Sequence, residues 1–360
     1  MKNVLNILDL STDEIDELIS VAEDIAANPE KYQDRCKHKR LATLFFEPST
    51  RTRLSFESAM LSLGGSVFGF AGAGMSSASK GESVSDTIEV VSGYADIIAM
   101  RHPKEGAPDV AVRRAFVPVI NAGDGGRYHP TQTLADLLTI RRKKGGFENL
   151  TIGFCGDLKY GRTVHSLICA MSRYAGTKFV LISPEELRLP DYVKKEYIEK
   201  KGIPYEESVS LEESVGKTDV LYMTRVQKER FESEEEYERL KDVYVLTEEK
   251  MRLAKADTIV MHPLPRVNEI SVKVDDDPRA CYFEQTRCGR LMRMALILKL
   301  LDEKDCPDNR KKKNEYEDHF AVCKNPRCIT SGERELSGLV YKDDDGAVRC
   351  AYCDEQISLG

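Results

Sequence analysis

Nowhere in these 360 residues does an apolar run approach the ~20 residues that a membrane span requires. No membrane-spanning helix is therefore expected. Excess basic charge is also missing. Lys and Arg total 53 against 60 Asp and Glu, a formal net charge of -7, and a chain built to grip a phosphate backbone needs a basic face. Nucleic acid is not the expected partner. Met1 to Leu10 is too short and too acidic for a secretory signal. Gly153 and Gly156 follow a strand-like run but do not complete a G-x-G-x-x-G, so no dinucleotide site is expected. Paired cysteines are absent from most of the chain. Cys36, Cys155, Cys169, Cys281, Cys288 and Cys306 are scattered, as in reduced cytosolic proteins. The expected location is the cytoplasm.

What is present describes a soluble globular protein: 41% hydrophobic and 31% charged residues. The length suggests two or three domains. Arg40-Leu-Ala-Thr-Leu-Phe-Phe-Glu-Pro-Ser-Thr-Arg-Thr-Arg-Leu-Ser-Phe56 contains the stretch around which the rest is organised. Leu41 to Phe46 is a short apolar run, the pattern of a buried strand. Pro48 and Ser49 stop it, and Phe56, Met60 and Leu63 recur at helical spacing until Gly64-Gly65. Between strand and helix lie Ser49, Thr50, Arg51 and Thr52. A helix start already offers unpaired N–H groups and the positive end of a dipole. Three hydroxyls and a guanidinium make it a cradle for a doubly charged oxyanion, most simply phosphate. A capped helix with solvated arginines also fits these residues; the flanking strand and helix favour the cradle.

Phe45-Phe46-Glu47-Pro48-Ser49-Thr50-Arg51-Thr52-Arg53 resembles the carbamoyl-phosphate signature of the carbamoyltransferases, in the Glu-Pro form of the aspartate enzymes rather than the ornithine ones. The likeness extends over about residues 1–301. Gly72 to Gly81 reads as a flexible loop whose only charge is Lys80. Ser76-Ser77-Ala78-Ser79-Lys80-Gly81-Glu82 resembles the family loop that reaches into a neighbouring subunit's active site, which implies phosphate and substrate contacts for Ser76 and Lys80 and a homotrimer with shared sites. A strand from Asp96 ends at Arg101, and another from Val117 to Asn121 leads into His129-Pro130-Thr131-Gln132. Ligands of parallel sheets gather at such carboxyl ends. The resemblance implies that Thr52, Arg101 and His129 polarise the carbamoyl carbonyl and that Gln132 holds its amide.

A second α/β unit begins near Leu150, with strands expected at Thr151 to Gly156, Lys178 to Ile182, Val220 to Thr224 and Thr258 to Met261. Alternating strands and helices argue for doubly wound parallel sheets. Strand ends carry Arg162, Arg225 with Gln227, and His262-Pro263-Leu264-Pro265-Arg266. Paired guanidiniums suit a dicarboxylate, because the planar fork grips a carboxylate with two bonds. The resemblance makes Arg162, Arg225, Gln227, Pro263 and Leu264 the aspartate contacts. An ornithine site would need an acid for the second ammonium, and none stands here. A non-catalytic scaffold is the other alternative, against which the full residue set argues.

Past Leu301 the chain changes character. Asp302 to Asn314 is charged and reads as a linker. Cys323-x4-Cys328 and, 21 residues on, Cys350-x2-Cys353 follow in a segment poor in large apolar residues. Two close pairs at this spacing suit a four-thiolate structural zinc, with disulfides as the rival. Cys323-Lys-Asn-Pro-Arg-Cys328 resembles the zinc domain of the regulatory chain of the aspartate carbamoyltransferases. The expected architecture is thus α/β, two doubly wound parallel-sheet domains of carbamoyltransferase fold plus a small zinc-ribbon-like β module. The expected limits are a carbamoyl-phosphate-binding domain over 1–145 with a returning helix at 286–301, an aspartate-binding domain over 146–285, a linker over 302–314 and a zinc-binding domain over 315–360. One structural Zn²⁺ per chain is expected, and no organic cofactor. The implied substrates are carbamoyl phosphate and L-aspartate, and the zinc module offers a route to higher assembly.

Overall fold

A computed structural model describes residues 2–75, 77–226, 235, 238–239, 244–303, 315–317, 323–333, 336–343 and 345–357. The chain divides into two compact units, Met1–Thr131 with Arg290–Gly360, and Gln132–Gly289. It passes from one to the other inside two helices, Pro130–Lys144 and Tyr282–Asp302.

The first unit is built on four parallel strands, β1 (Arg40–Phe45), β2 (Ser66–Ala71), β3 (Ile97–His102) and β4 (Val119–Asp124), in the order β2-β1-β3-β4. Five of the six β1 residues and all of β3 and β4 are buried, as strands covered on both faces must be. β2, at the edge, is half exposed. Helices α1 (Thr12–Ala27), α2 (Thr50–Ser62), α3 (Val84–Ser92) and α4 (Ala107–Arg114) belong to this unit, and α5 is Pro130–Lys144. Ser11 starts α1 with a reciprocal capping box to Glu14, and Ser83 caps α3. After β2 the chain returns past β1 to lay down β3, so the connections leaving β1 and β3 run to opposite sides. A crevice at the carboxyl ends of two such strands is where doubly wound sheets bind ligands.

The second unit repeats the plan. β5 (Thr151–Cys155), β6 (Lys178–Ile182), β7 (Tyr205–Ser208), β8 (Val220–Met223) and β9 (Ile259–Met261) are parallel in the order β7-β6-β5-β8-β9. The switch of direction falls between β5 and β8. Helix α6 (Arg162–Met171) follows β5 directly.

Three details depart from the expected elements. β7 is an exposed edge strand of sequence Tyr-Glu-Glu-Ser, with no apolar alternation to announce it. β4 starts two residues late, after Pro118, which has no N–H to give a ladder and contributes only its carbonyl, to Ile98. The last helix runs to Asp302, so the first residue of the expected linker is helical; the rest of it, from 304, lies outside the described residues.

The tail forms an antiparallel sheet of β10 (Glu315–Glu317), β11 (Leu339–Lys342) and β12 (Val348–Cys350). It is docked on the first unit of its own chain. Ile329, Val340, Tyr352 and Ile357 share one hydrophobic core with Val84, Ala107, Val110 and Ala111. The approach is close: a Cβ on Gly106, whose φ is +83°, would lie 2.5 Å from the Tyr352 carbonyl oxygen. Glu105 pairs its backbone with the cysteine knuckle, donating to the Arg327 carbonyl at 2.8 Å and accepting from the Ile329 N–H at 2.9 Å.

Candidate active site and metal centre

In the first unit the expected groups cluster at the carboxyl ends of β1, β3 and β4. Ser49 is the N-cap of α2, but its side chain makes no capping hydrogen bond, and the first turn carries no acid. The N–H groups of Thr50, Arg51 and Thr52 thus open a helix that lacks the side-chain cap found on α1 and α3. Such an end favours an anion. Arg53 is engaged elsewhere, pairing with Glu57 at 2.7 Å, while Glu57 also accepts from Thr43 Oγ1 at 3.0 Å. Arg51, in the first turn of α2, is exposed.

Arg101 is the last residue but one of β3 and His129 follows β4; the two are only 8% and 5% exposed. They converge on Gly123. A Cβ placed on that residue, at φ +119°, would lie 3.0 Å from Arg101 Nη1 and 3.5 Å from His129 Cδ2. Glycine is required there both for its backbone and for the room it leaves. Arg101 Nη1 lies 3.5 Å from the Ala122 carbonyl oxygen, and Nη2 lies 3.4 Å from Glu47 Oε2. The loop carrying His129 is fixed by Asp124, which accepts from Asn121 Nδ2 at 2.8 Å and the Gly106 N–H at 3.0 Å. Burial pushes the Asp124 carboxyl up to about 6. His102 packs on Phe46 and accepts from the Lys104 N–H at 2.9 Å; burial pulls it down to about 4, so it is neutral at pH 7. Lys80 is exposed, in a short turn over Ser77–Lys80, and Ser76 lies outside the described residues.

In the second unit Arg162 opens α6 at the end of β5, behind a Gly161 N-cap that provides no side-chain bond. Arg225 follows β8 and is half-buried; Gln227 lies outside the described residues. Pro263 and Leu264 follow β9, Leu264 at φ +55° before a cis peptide to Pro265. His262 holds this corner. Its Nδ1 accepts the Leu264 N–H at 2.7 Å, so Nε2 carries the proton and donates to Glu269 at 2.7 Å. Glu269 Oε2 then accepts the Val267 and Asn268 N–H groups. Burial alone would raise the Glu269 carboxyl, but the His262 bond holds it below the usual range. A chain of bonds leads onward within the same unit. The His262 N–H donates to Gln285, Gln285 donates to Asp136 at 2.6 Å, and Asp136 also accepts from Gln132 at 2.8 Å and Tyr222 at 3.0 Å. Gln132 is thereby oriented with its carbonyl oxygen as the acceptor end.

Cys323, Cys328, Cys350 and Cys353 come together in the tail, with all four Sγ atoms within 4.8 Å of one another. Cys323 and Cys353 are 3.5 Å apart, and Cys328 and Cys350 3.8 Å. Disulfide sulfurs stand at about 2.05 Å, so these are thiols. Four sulfurs at about 2.3 Å around one tetrahedral Zn²⁺ would stand about 3.8 Å apart, and the donor set fits.

Sequence reasoning passed over Gly123, Glu105, Arg127, Glu269 and Asp354. Gly-Asp-Gly-Gly-Arg127 carried a signal, since so many glycines beside charges mark a tightly shaped loop. The others had none.

Three family models match this one chain. That of the aspartate/ornithine carbamoyltransferase carbamoyl-P binding domain covers residues 2–142, and that of the Asp/Orn binding domain covers 148–300. The aspartate carbamoyltransferase regulatory chain metal binding domain covers 318–359. A catalytic subunit of aspartate carbamoyltransferase from Clostridium novyi (strain NT) is 63% identical over 300 residues, 83% of this chain and 98% of that one. One from Lachnoclostridium phytofermentans is 62% identical over 302 residues, with 84% and 98% covered. Among solved structures, the catalytic subunit of M. jannaschii aspartate transcarbamoylase superposes with a TM-score of 0.78 at 46% identity, covering 85% of this chain and 100% of that one. The Trypanosoma cruzi aspartate transcarbamoylase in complex with carbamoyl phosphate and aspartate gives 0.79 at 39%, covering 83% and 96%. Among the described residues no helix is long and apolar enough to cross a membrane.

Proposed function

The chain belongs to the aspartate/ornithine carbamoyltransferase family, and from that premise we propose the following account of its chemistry. It transfers the carbamoyl group of carbamoyl phosphate to L-aspartate, giving N-carbamoyl-L-aspartate and phosphate, an early step of pyrimidine synthesis in the cytoplasm. The aspartate amine attacks the carbonyl carbon, a C–N bond forms, the C–O bond to phosphate breaks, and the leaving phosphate takes the amine proton.

Ser49, Thr50, Arg51 and Thr52 hold the phosphate. Thr52, Arg101 and His129 hydrogen-bond the carbonyl oxygen and stabilise the charge that grows on it. Gln132 accepts from the carbamoyl amide, in keeping with its bond to Asp136. Arg162, Arg225 and Gln227 take the aspartate carboxylates, with Pro263 and Leu264 offering backbone contacts. No residue in this account is a nucleophile. The rate comes from positioning, where effective molarity supplies on the order of 7–11 kcal/mol, and from aligned donors. Convergence of Arg101 and His129 on Gly123 is the observation that carries the reading, because it brings two buried polar side chains to one place. A spectrophotometric assay of carbamoyl aspartate tests it. Faster carbamoylation of ornithine than of aspartate would overturn the substrate.

The active form is a homotrimer in which Ser76 and Lys80 complete a neighbour's site. Mixing inactive Arg51→Ala and Lys80→Ala chains should restore part of the activity, since hybrid trimers contain sites that neither change damages. A mixture that stays inactive after verified subunit exchange would mean that one chain builds each site. In the tail, Cys323, Cys328, Cys350 and Cys353 hold one structural zinc per chain. Such a metal contributes folding free energy to a module of this size. The tail is a regulatory-type zinc domain fused to a catalytic chain. Metal analysis should find one zinc per chain in the wild type and none in Cys350→Ser, which should lose the tail's fold while keeping measurable activity.

A further inference from the structure

The loop from β4 to α5 ends in His129, and it is tied to the cysteine-bearing tail at three points, one of them the Tyr128 hydroxyl, which donates to Asp354 Oδ2 at 3.3 Å. Arg127 sits in this loop, yet its side chain is only 10% exposed. Its guanidinium reaches both ways. Nη1 donates to Asp109 Oδ2 at 2.6 Å, on α4 of the same unit. Nε and Nη2 both donate to Asp354 Oδ2, at 2.9 and 2.5 Å. Asp354 follows Cys353 in the left-handed region, at φ +65°, and its other oxygen accepts from Tyr341 at 2.8 Å. The third tie is Glu105. One of its carboxylate oxygens accepts the Gly126 N–H at 3.3 Å, and the other accepts from Asn325 of the cysteine knuckle at 2.8 Å.

These ties are specific. A planar guanidinium donating twice to one carboxylate fixes an orientation as well as a distance. Arg127 also lies over the Tyr128 ring, 4.7 Å from its centroid, and Tyr128 directly precedes His129. The tail's carboxylate therefore sets the arginine, and it reaches the residue beside the histidine both through the arginine's stacking and through the Tyr128 hydroxyl.

We propose that Arg127 is a positioning residue whose orientation is imposed by Asp354, so that the docked tail holds His129 in its working geometry. The proposal rests on the role given to His129 above. It makes the tail a support for the site within its own chain, in addition to any part in assembly.

The test uses the full-length chain and the variants Arg127→Ala, Arg127→Lys, Asp354→Asn and the double Arg127→Ala/Asp354→Asn. Metal analysis and light scattering first establish that Asp354→Asn keeps the zinc and the mass of the wild type. Displacing a catalytic group by about 1 Å can cost on the order of a hundredfold; a loosened support should cost about tenfold in kcat, with the carbamoyl phosphate KM changed by less than about twofold. The double variant should be no worse than Arg127→Ala alone, and Arg127→Lys should recover part of the loss. The His129 ring resonance, assigned by NMR, should shift in Asp354→Asn as it does in Arg127→Ala. Additive losses, or a zinc-replete Asp354→Asn with wild-type kcat and an unmoved His129 resonance, would overturn the proposal. If the wild type fails to carbamoylate aspartate, the functional reading falls. The His129 resonance then still reports whether Asp354 and Arg127 act on it together.

Discussion

The two parallel sheets follow one plan and are finished differently. In each, the first strand of the unit leads straight into a helix without a side-chain cap, α2 after β1 and α6 after β5. In each, the strand across the switch of direction carries an arginine near its carboxyl end, Arg101 within β3 and Arg225 two residues past β8. The difference is burial. Arg101 and His129 are almost wholly enclosed and set against a glycine. Arg162, Arg225 and Leu264 are half-buried, and Leu264 is held by the His262–Glu269 pair. Under the proposed roles this contrast has a physical reason. Donors that stabilise charge in a transition state act best when fixed and shielded from water. Groups that grip an arriving carboxylate need access, and a forked guanidinium supplies its own geometry.

The largest expected effect comes from the enclosed side. Arg101→Ala should lower kcat by about 10²–10³, the usual loss for one preorganised donor, with the aspartate KM nearly unchanged. A rise in KM with kcat intact would make Arg101 a binding group and erase the contrast. On the open side, Arg225→Ala should cost about 2 kcal/mol, the low end for a charged pair because the residue is half exposed. That is about thirtyfold in kcat/KM for aspartate, with carbamoyl phosphate binding kept. Near neutral pH the smallest effect concerns stability, in which the two units should behave alike. Burial holds both His102 and His165 at about 4, and His165 Nε2 donates to the Leu158 carbonyl. Their ordinary value is about 6.5. Above 6.5 both folded and unfolded chains are neutral at these positions. As pH falls from 6.5 towards 4 the unfolded chain binds protons that the folded one refuses, and stability is lost, by about 3 kcal/mol at most per histidine. His165→Gln should flatten the fall in urea midpoint over that window. An unchanged slope would mean that His165 takes up its proton alike in the folded and unfolded chains.

Much of this was open to reading along the chain. The Ser49–Thr52 helix start and the His129–Gln132 run are local patterns, in which strand, turn and helix start lie within a few residues of one another, and the four cysteines announce themselves as two close pairs. β7 was not legible, because an exposed edge strand needs no apolar face. Nor was Gly123, which matters through the side chains of residues 22 positions before and 6 after it.

The sequence by itself determined the fold class, the chemistry offered at the strand ends and the thiolate donor set, because each follows from periodicity or spacing over short stretches. Only the tertiary structure decided where the tail docks and what it touches. Arg127 and Asp354 are 227 residues apart, and Glu105 meets Asn325 across 220. Pairings of that range leave no periodic trace in a single sequence. They arise when two folded surfaces, here the one around Gly106 and the one around Tyr352, fit closely enough to exclude water.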